Sequence, residues 1–106
     1  MSEYIIALTT CPADIGNKLA RILVERGICA CVNVISTVSS VYIWKGKIVE
    51  DNESILLIKT TSSQQERLWD TIKKEHPYDL PEYIVLPIKW GSQDYLDWIS
   101  ENTRSQ

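Results

Sequence analysis

The side chains in this chain with the chemistry to ligate or react are few: Cys11, Cys29, Cys31 and a lone His76. Cys29 and Cys31 stand two apart in a β-type run, so they share a face and offer two soft thiolates side by side. The competing use is as small buried hydrophobes, the usual fate of unpaired cysteine. Cys11 lies in Thr10-Cys11-Pro12, which reads as the start of a helix with Pro12 in its first turn. A thiol there meets the positive end of the helix dipole, which favours the reactive thiolate. His76 closes a second helix just before Pro77. With the strand directions set out below, Cys11 and His76 come to the same end of the fold. A thiolate and an imidazole make a ligand pair for a soft ion such as copper. The plainer reading, which the residues alone favour, is that Cys11 only begins its helix and His76 caps the last carbonyls of its own. Cys11 falls at the opposite end from Cys29 and Cys31, and no C-x-x-C occurs, so a closed zinc site is not expected.

Lys59, Asp79 and Glu82 form a second group. Lys59 ends the apolar run SILLIK and Glu82 opens the last strand, so each either emerges at a strand end or reaches toward a ligand. Tyr42, Trp44, Trp90, Tyr95 and Trp98 are an aromatic set able to wall a pocket or to anchor a subunit contact, the latter being the commoner use. Lys59, Glu82, Tyr95 and Trp98 are the residues that would line a cleft between subunits. No Ser/His/Asp triad, Gly-rich phosphate loop or carboxylate pair is evident, so catalysis is not expected.

The elements that position these residues follow from local pattern. Residues 3–10 are a short apolar run suited to a buried strand. Ile15, Leu19, Ile22, Leu23 and Arg26 keep helical spacing, and Gly27 stops that helix. Residues 29–61 are two β-rich runs joined at Lys45-Gly46. Ser63 and Glu66 have capping-box spacing, and Leu68, Trp69 and Ile72 share one face of the helix that follows. That helix ends before Pro77, and His76 to Pro81 is a stiff loop. Residues 83–88 form a fourth strand with Pro87 near its end, which suits an edge. A short final helix carries Tyr95, Leu96, Trp98 and Ile99 on its apolar side. The order predicts an α+β fold: a ferredoxin-like βαββαβ with an extra C-terminal helix and both main helices on one face of the sheet.

The two long runs predict more than a fold. A tight turn at Lys45-Gly46 puts Ile43 opposite Ile48, Tyr42 opposite Val49, Ile35 opposite Leu56 and Val34 opposite Leu57. Each arm of about 14 residues then reaches roughly 46 Å at ~3.3 Å per residue. The longest helix candidate, about 16 residues, covers only roughly 24 Å. The overhang is apolar on both faces: Val41, Ile43 and Ile48 on one, Tyr42, Trp44 and Val49 on the other. Such a ribbon is not stable alone in water, so another chain should cover it. Tyr42, Ile43, Trp44 and Ile48 are the expected interface residues.

Composition narrows the class further. Residues 1–106 suit a single domain, and 44% apolar with 24% charged residues is ordinary for a globular one. A net charge of −3 with scattered basic residues argues against nucleic acid as the main partner. MSEYIIALTT lacks the pattern of a signal peptide, and no run approaches the ~18 apolar residues of a membrane span. Three cysteines without a secretory signal predict reduced thiols and a cytoplasmic location.

Several phrases fit one family together. ACVNVI (30–35), YIWKGKI (42–48), LLIKTT (56–61), HPYDLPE (76–82), LPI (86–88) and YLDWI (95–99) resemble the CutA divalent-cation tolerance proteins, in order and across nearly the whole chain. The resemblance implies a ferredoxin-like subunit in a tight homotrimer, similar in architecture to PII-type signalling trimers that bind small ligands between subunits. It also implies a role in divalent-metal tolerance, with copper as the ion some members hold through Cys and His. His76 carries the intact HPY motif, with Glu75 where some members have a second His. The cysteine near the first helix is Cys11, and Thr9 stands where some members place it. Cys31 fits the family's ACV cysteine, Cys29 replaces a common Ala, and Ser36 replaces a common Pro, which predicts a milder bend in the second strand.

Overall fold

The computed structural model describes residues 3–104. Its elements are β1 (Tyr4–Pro12), α1 (Gly16–Glu25), β2 (Cys31–Trp44), β3 (Lys47–Thr61), a 3-10 turn (Ser62–Gln64), α2 (Gln65–Glu75), β4 (Ile84–Pro87) and α3 (Gln93–Glu101). The strands form one antiparallel sheet in the order β2-β3-β1-β4. This is the expected ferredoxin-like βαββαβ arrangement, with β4 at an edge and Pro87 at its end.

Alternation in β1 and β3 decides which face is the core. Ala7 and Cys11 of β1 and Leu56 and Ile58 of β3 are buried against Leu19, Leu23, Leu68 and Ile72 of the two main helices. Burying each such side chain contributes about 1.5–3 kcal/mol. The opposite face is also apolar, carrying Leu8, Ile35, Ile55, Leu57, Ile84 and Leu86, and in this subunit it is only partly covered.

The hairpin turns where expected. Lys45 (φ 52°) and Gly46 (φ 80°) both adopt positive φ, the requirement of a two-residue turn matched to strand twist. Ile43 faces Ile48 and Tyr42 faces Val49, as predicted. Nearer the sheet the register differs from expectation by one residue: Ile35 faces Ile55 and Val34 faces Leu56, because a bulge intervenes between Ile35 and Val38. At the bulge, Ser54 Oγ donates to the Ser36 carbonyl at 3.1 Å and also lies 3.3 Å from the Ala13 carbonyl. The irregularity therefore falls at the position where the family commonly has Pro, without needing one. β1 pairs with β3 only from Thr61 to Glu53, so beyond Glu53 the hairpin stands as a two-stranded ribbon.

Two helix boundaries depart from expectation. α1 starts at Gly16 rather than at Pro12, because Cys11 and Pro12 continue β1 opposite Ser54 and Glu53. Its other end is as predicted: Gly27 at φ 70° lets its N–H reach the Val24 carbonyl and the Ile28 N–H the Leu23 carbonyl. α2 has no side-chain N-cap; the 3-10 turn leads into it, and Ser63 Oγ pairs with Thr61 Oγ1 instead of closing a capping box. Past α3, Arg104 docks on the end of α1, bonding the Gly27 and Glu25 carbonyls, while Gln64 and Arg67 hold its own carbonyl. Among the described residues no helix is long and apolar enough to cross a membrane.

Candidate functional site

The lone histidine and the first cysteine do come to one end of the fold; His76 closes α2 as expected, whereas Cys11 does not start a helix. His76 ends α2 in extended conformation, and its Nδ1 accepts the Tyr78 N–H at 3.1 Å. Nε2 therefore carries the proton and donates to the Thr10 carbonyl at 2.6 Å, next to Cys11. The ring thus pins the loop to β1 rather than capping its own helix. Cys11 is fully buried in a strand, not at a helix N-terminus, so no dipole activates it. Burial, then the charges of Glu53 and Asp14, push its thiol up from 9.0 to about 11. Ligation by this pair would require both the thiol to be uncovered and the His76 bonds to be released.

Cys29 is likewise buried, its thiol pushed up to about 12 chiefly by burial and then by Cys31. Cys31 is half-buried beside Asn33, and the two cysteines do not share one exposed face as a thiolate pair. Among the described residues no three His, Cys, Asp or Glu side chains come together to hold a metal ion.

Of the four residues expected to line one cleft, three converge. Lys59 Nζ lies 5.9 Å from the Tyr95 ring centre, and Tyr95 stacks on Trp98 at 5.5 Å. Lys59 also donates to Asn33 Oδ1, so the ammonium is held across the β2–β3 ladder. Glu82 is elsewhere. It lines a separate open cleft of about 780 Å³ between the ribbon and the His–Pro loop. Glu82 precedes β4 at the loop end of the sheet whereas Lys59 pairs with Cys31 and Ile6 toward the other, so a cleft holding all four would draw them from two subunits, as the expected cleft between subunits does.

The ribbon–loop cleft sets Tyr42, Trp44, Asp79 and Glu82, which the sequence had offered in separate groups, beside Asp51, Glu53 and Tyr78, which it had not singled out. Tyr42 and Trp44 come from β2, Asp51 and Glu53 from β3, Tyr78 and Asp79 from the loop. Glu53 is a carboxylate only 5% exposed, and Tyr78 Oη donates to its Oε2 at 2.9 Å. Burial first, and then this bond, raise the Tyr78 hydroxyl well above the usual phenol range. Tyr42 Oη donates to Asp51 Oδ2 on the ribbon itself, and that bond likewise raises the Tyr42 hydroxyl. The loop is set from behind: Tyr83 stacks on Trp69 of α2 at 5.1 Å and donates to the Gln65 carbonyl at 2.8 Å. The sequence signal for this site was the acidic run Glu50-Asp51-Asn52-Glu53 set inside an otherwise β-forming strand.

Sheet order, overhanging ribbon and terminal helix together define a ferredoxin-like subunit with an extended central hairpin. The chain belongs to the CutA family: the model of the CutA1 divalent ion tolerance proteins matches residues 5–102. It is 41% identical over 101 residues to the divalent-cation tolerance protein CutA of Thermus thermophilus, covering 95% of this chain and 98% of that one. It is 43% identical to human protein CutA over 93% of this chain, spanning 56% of the human protein's length. Among solved structures, rice CutA1 superposes with a TM-score of 0.95 at 39% identity, covering 99% of this chain and 97% of that one. The apo form of a protein described as PII-like CutA, from Nostoc sp. PCC 7120, gives 0.90 at 38% identity over 94% of this chain and 97% of that one.

Proposed function

We propose that this chain acts as a non-enzymatic, homotrimeric regulatory protein in the cellular response to divalent cations, taking a small ligand in the cleft between ribbon and His–Pro loop. The observation that carries the reading is the cleft itself: an open space of about 780 Å³ with aromatic walls, a buried carboxylate and a loop held by specific bonds. That volume lies within the ~300–1,000 Å³ typical of small-molecule sites. The name of the Nostoc relative as PII-like adds a fold-level argument for ligand sensing. The family membership supplies the cation-tolerance context.

Assembly is supported by what one subunit leaves exposed. Ile43 and Ile48 at the ribbon tip are 73% and 77% exposed, and Val41, Tyr42 and Trp44 are exposed beside them. An apolar ribbon of this kind, together with the half-covered sheet face, calls for further copies; the count of three follows from the family resemblance. Ribbon residues line the cleft, so a covering copy would make it a site between subunits. A cytoplasmic setting belongs to the same reading, on the ground of three unpaired cysteines. Light scattering on the purified protein tests the assembly, and a thermal-shift screen of metabolites tests the ligand; a folded lone subunit with no stabilising compound would defeat the reading.

A second reading is copper binding at Cys11 and His76, favoured by their shared end of the fold. Titration of Cu(I) into the reduced protein and into Cys11→Ser and His76→Ala separates the two. Equal affinity in all three proteins would remove this second reading.

A further inference from the structure

We infer that Ser54 is the positioning residue of the ribbon: its hydroxyl fixes the angle at which the two long strands leave the sheet, and so the contact they make with neighbouring copies. The inference rests on the assembled reading above and names the residue that prepares one subunit for it.

Three features fall at one level of the sheet. Ile35 faces Ile55 and Val38 faces Glu53, so Ser36 and Thr37 together oppose the single Ser54. A bulge of this kind bends its strand and sharpens the local twist. β1 makes its last two pairings at the same level, Cys11 with Ser54 and Pro12 with Glu53. The direction of the ribbon is therefore decided where the bend lies and where support from a third strand ends.

The Ser54 hydroxyl sits at that junction, fully buried. It donates to the Ser36 carbonyl at 3.1 Å and stands 3.3 Å from the Ala13 carbonyl in the turn between β1 and α1. One O–H proton serves two acceptors, one on the bulge and one on the body of the fold, so the hydroxyl ties the two together. The seat admits nothing larger: a Cβ on Gly16, the first residue of α1, would lie 2.8 Å from Ser54 Oγ. Its neighbour Glu53 takes the Tyr78 hydroxyl from the loop, so two consecutive residues hold the ribbon's root.

Leverage makes the angle matter. From Glu53 to Lys47 the arm spans seven residues, about 23 Å at ~3.3 Å per residue. A tilt of about 10° at the root carries the tip by roughly 4 Å, close to the ~4.8 Å between neighbouring strands. The exposed Ile43–Ile48 pair at the tip would then miss its contact by nearly one strand.

Amide exchange, and light scattering over a dilution series, test this on the intact protein and on Ser54→Ala. The variant should keep its circular dichroism spectrum and exchange faster over residues 38–53. It should also dissociate at a protein concentration at least about fivefold above that of the unaltered protein, the scale of one hydrogen bond. Thr60→Val is the control. Thr60 lies on the same strand, is fully buried, and donates to the Ile28 carbonyl at 2.7 Å, away from the ribbon. Its loss should leave ribbon exchange and assembly unchanged. Equal weakening of assembly by Thr60→Val would make Ser54 a stabiliser only and overturn the proposal. Gly16→Ala presses on the hydroxyl without removing it and should weaken assembly in the same direction, which keeps the test open should Ser54→Ala not fold. An assembled protein held equally tightly in Ser54→Ala and Gly16→Ala would overturn the positioning role alone. A lone subunit in the unaltered protein would overturn it together with the assembled reading.

Discussion

Tyr78 donates its hydroxyl to Glu53 Oε2 at 2.9 Å, and that bond ties the His–Pro loop to the root of the overhanging ribbon. Beside it, the His76 ring packs on Tyr78 at 4.7 Å and bonds the Thr10 carbonyl, so two neighbouring loop residues grip two different strands. The cleft's far wall is thus held in place by side chains rather than by secondary structure.

Removing that grip should loosen the loop without dismantling the core. Tyr78→Phe keeps the ring but leaves Glu53 without its donor, which should cost about 1–3 kcal/mol. Urea denaturation measures the loss, and amide exchange should quicken over residues 77–82 specifically. Unchanged stability and exchange would show that the bond holds nothing.

Thiol accessibility should sort the three cysteines. With iodoacetamide on the folded protein, Cys31 should be the thiol that labels, since Cys11 and Cys29 are fully buried. Peptide mass spectrometry reads the order, and the two buried thiols should react only after addition of denaturant. Early labelling of Cys11 would instead favour the copper reading.

Alkaline stability has a definite sign. Folding raises the Cys11 thiol from 9.0 to about 11 and Cys29 from 9.0 to about 12. Groups raised by folding support the native state fully below the unfolded value, and that support is lost as pH rises through the folded one. The melting temperature should therefore fall from about pH 9 upward, and less steeply in Cys11→Ala once its lower starting stability is subtracted. A parallel fall in both proteins would exclude Cys11 as a cause.

At the ribbon tip, Ile43→Asp combined with Ile48→Lys removes two exposed isoleucines that face each other. The fold of one subunit does not use them, so far-UV circular dichroism should survive while light scattering reports a smaller species. An unchanged oligomer would place the interface elsewhere.

Gly27 offers a stability test far from the cleft. It sits at φ 70°, and a Cβ there would lie 2.5 Å from Arg104 Nε. Gly27→Ala should cost about 1 kcal/mol or more from the backbone alone. It should also release the C-terminal segment, visible as faster proteolysis near Arg104.

Lys45-Gly46, Gly27 and Pro77 illustrate what the chain states locally. Each acts through its own φ or through the residue beside it, so turn, helix end and helix stop are legible without knowing any neighbour. Helical spacing in residues 15–26 and alternation in residues 29–61 are local in the same sense, and the ferredoxin-like order followed from them. The capping box was a local signal that did not materialise, because Ser63 found Thr61 nearer than the helix N–H it was expected to bind.

Sequence by itself determined the order of the elements, the turn and the greasy overhang, since those depend on periodicity and backbone preference within a few residues. Only the tertiary structure decided that Cys11 lies in a strand rather than at a helix start, because pairing with Ser54 across the sheet outweighs the pull of Pro12 toward a helix. It alone decided the bulge at Ser36, where a distant Ser54 hydroxyl stabilises the extra residue. The meeting of Glu53 with Tyr78 is of the same kind: two residues 25 apart in the chain find each other only when strand and loop are packed, and no local pattern encodes that encounter.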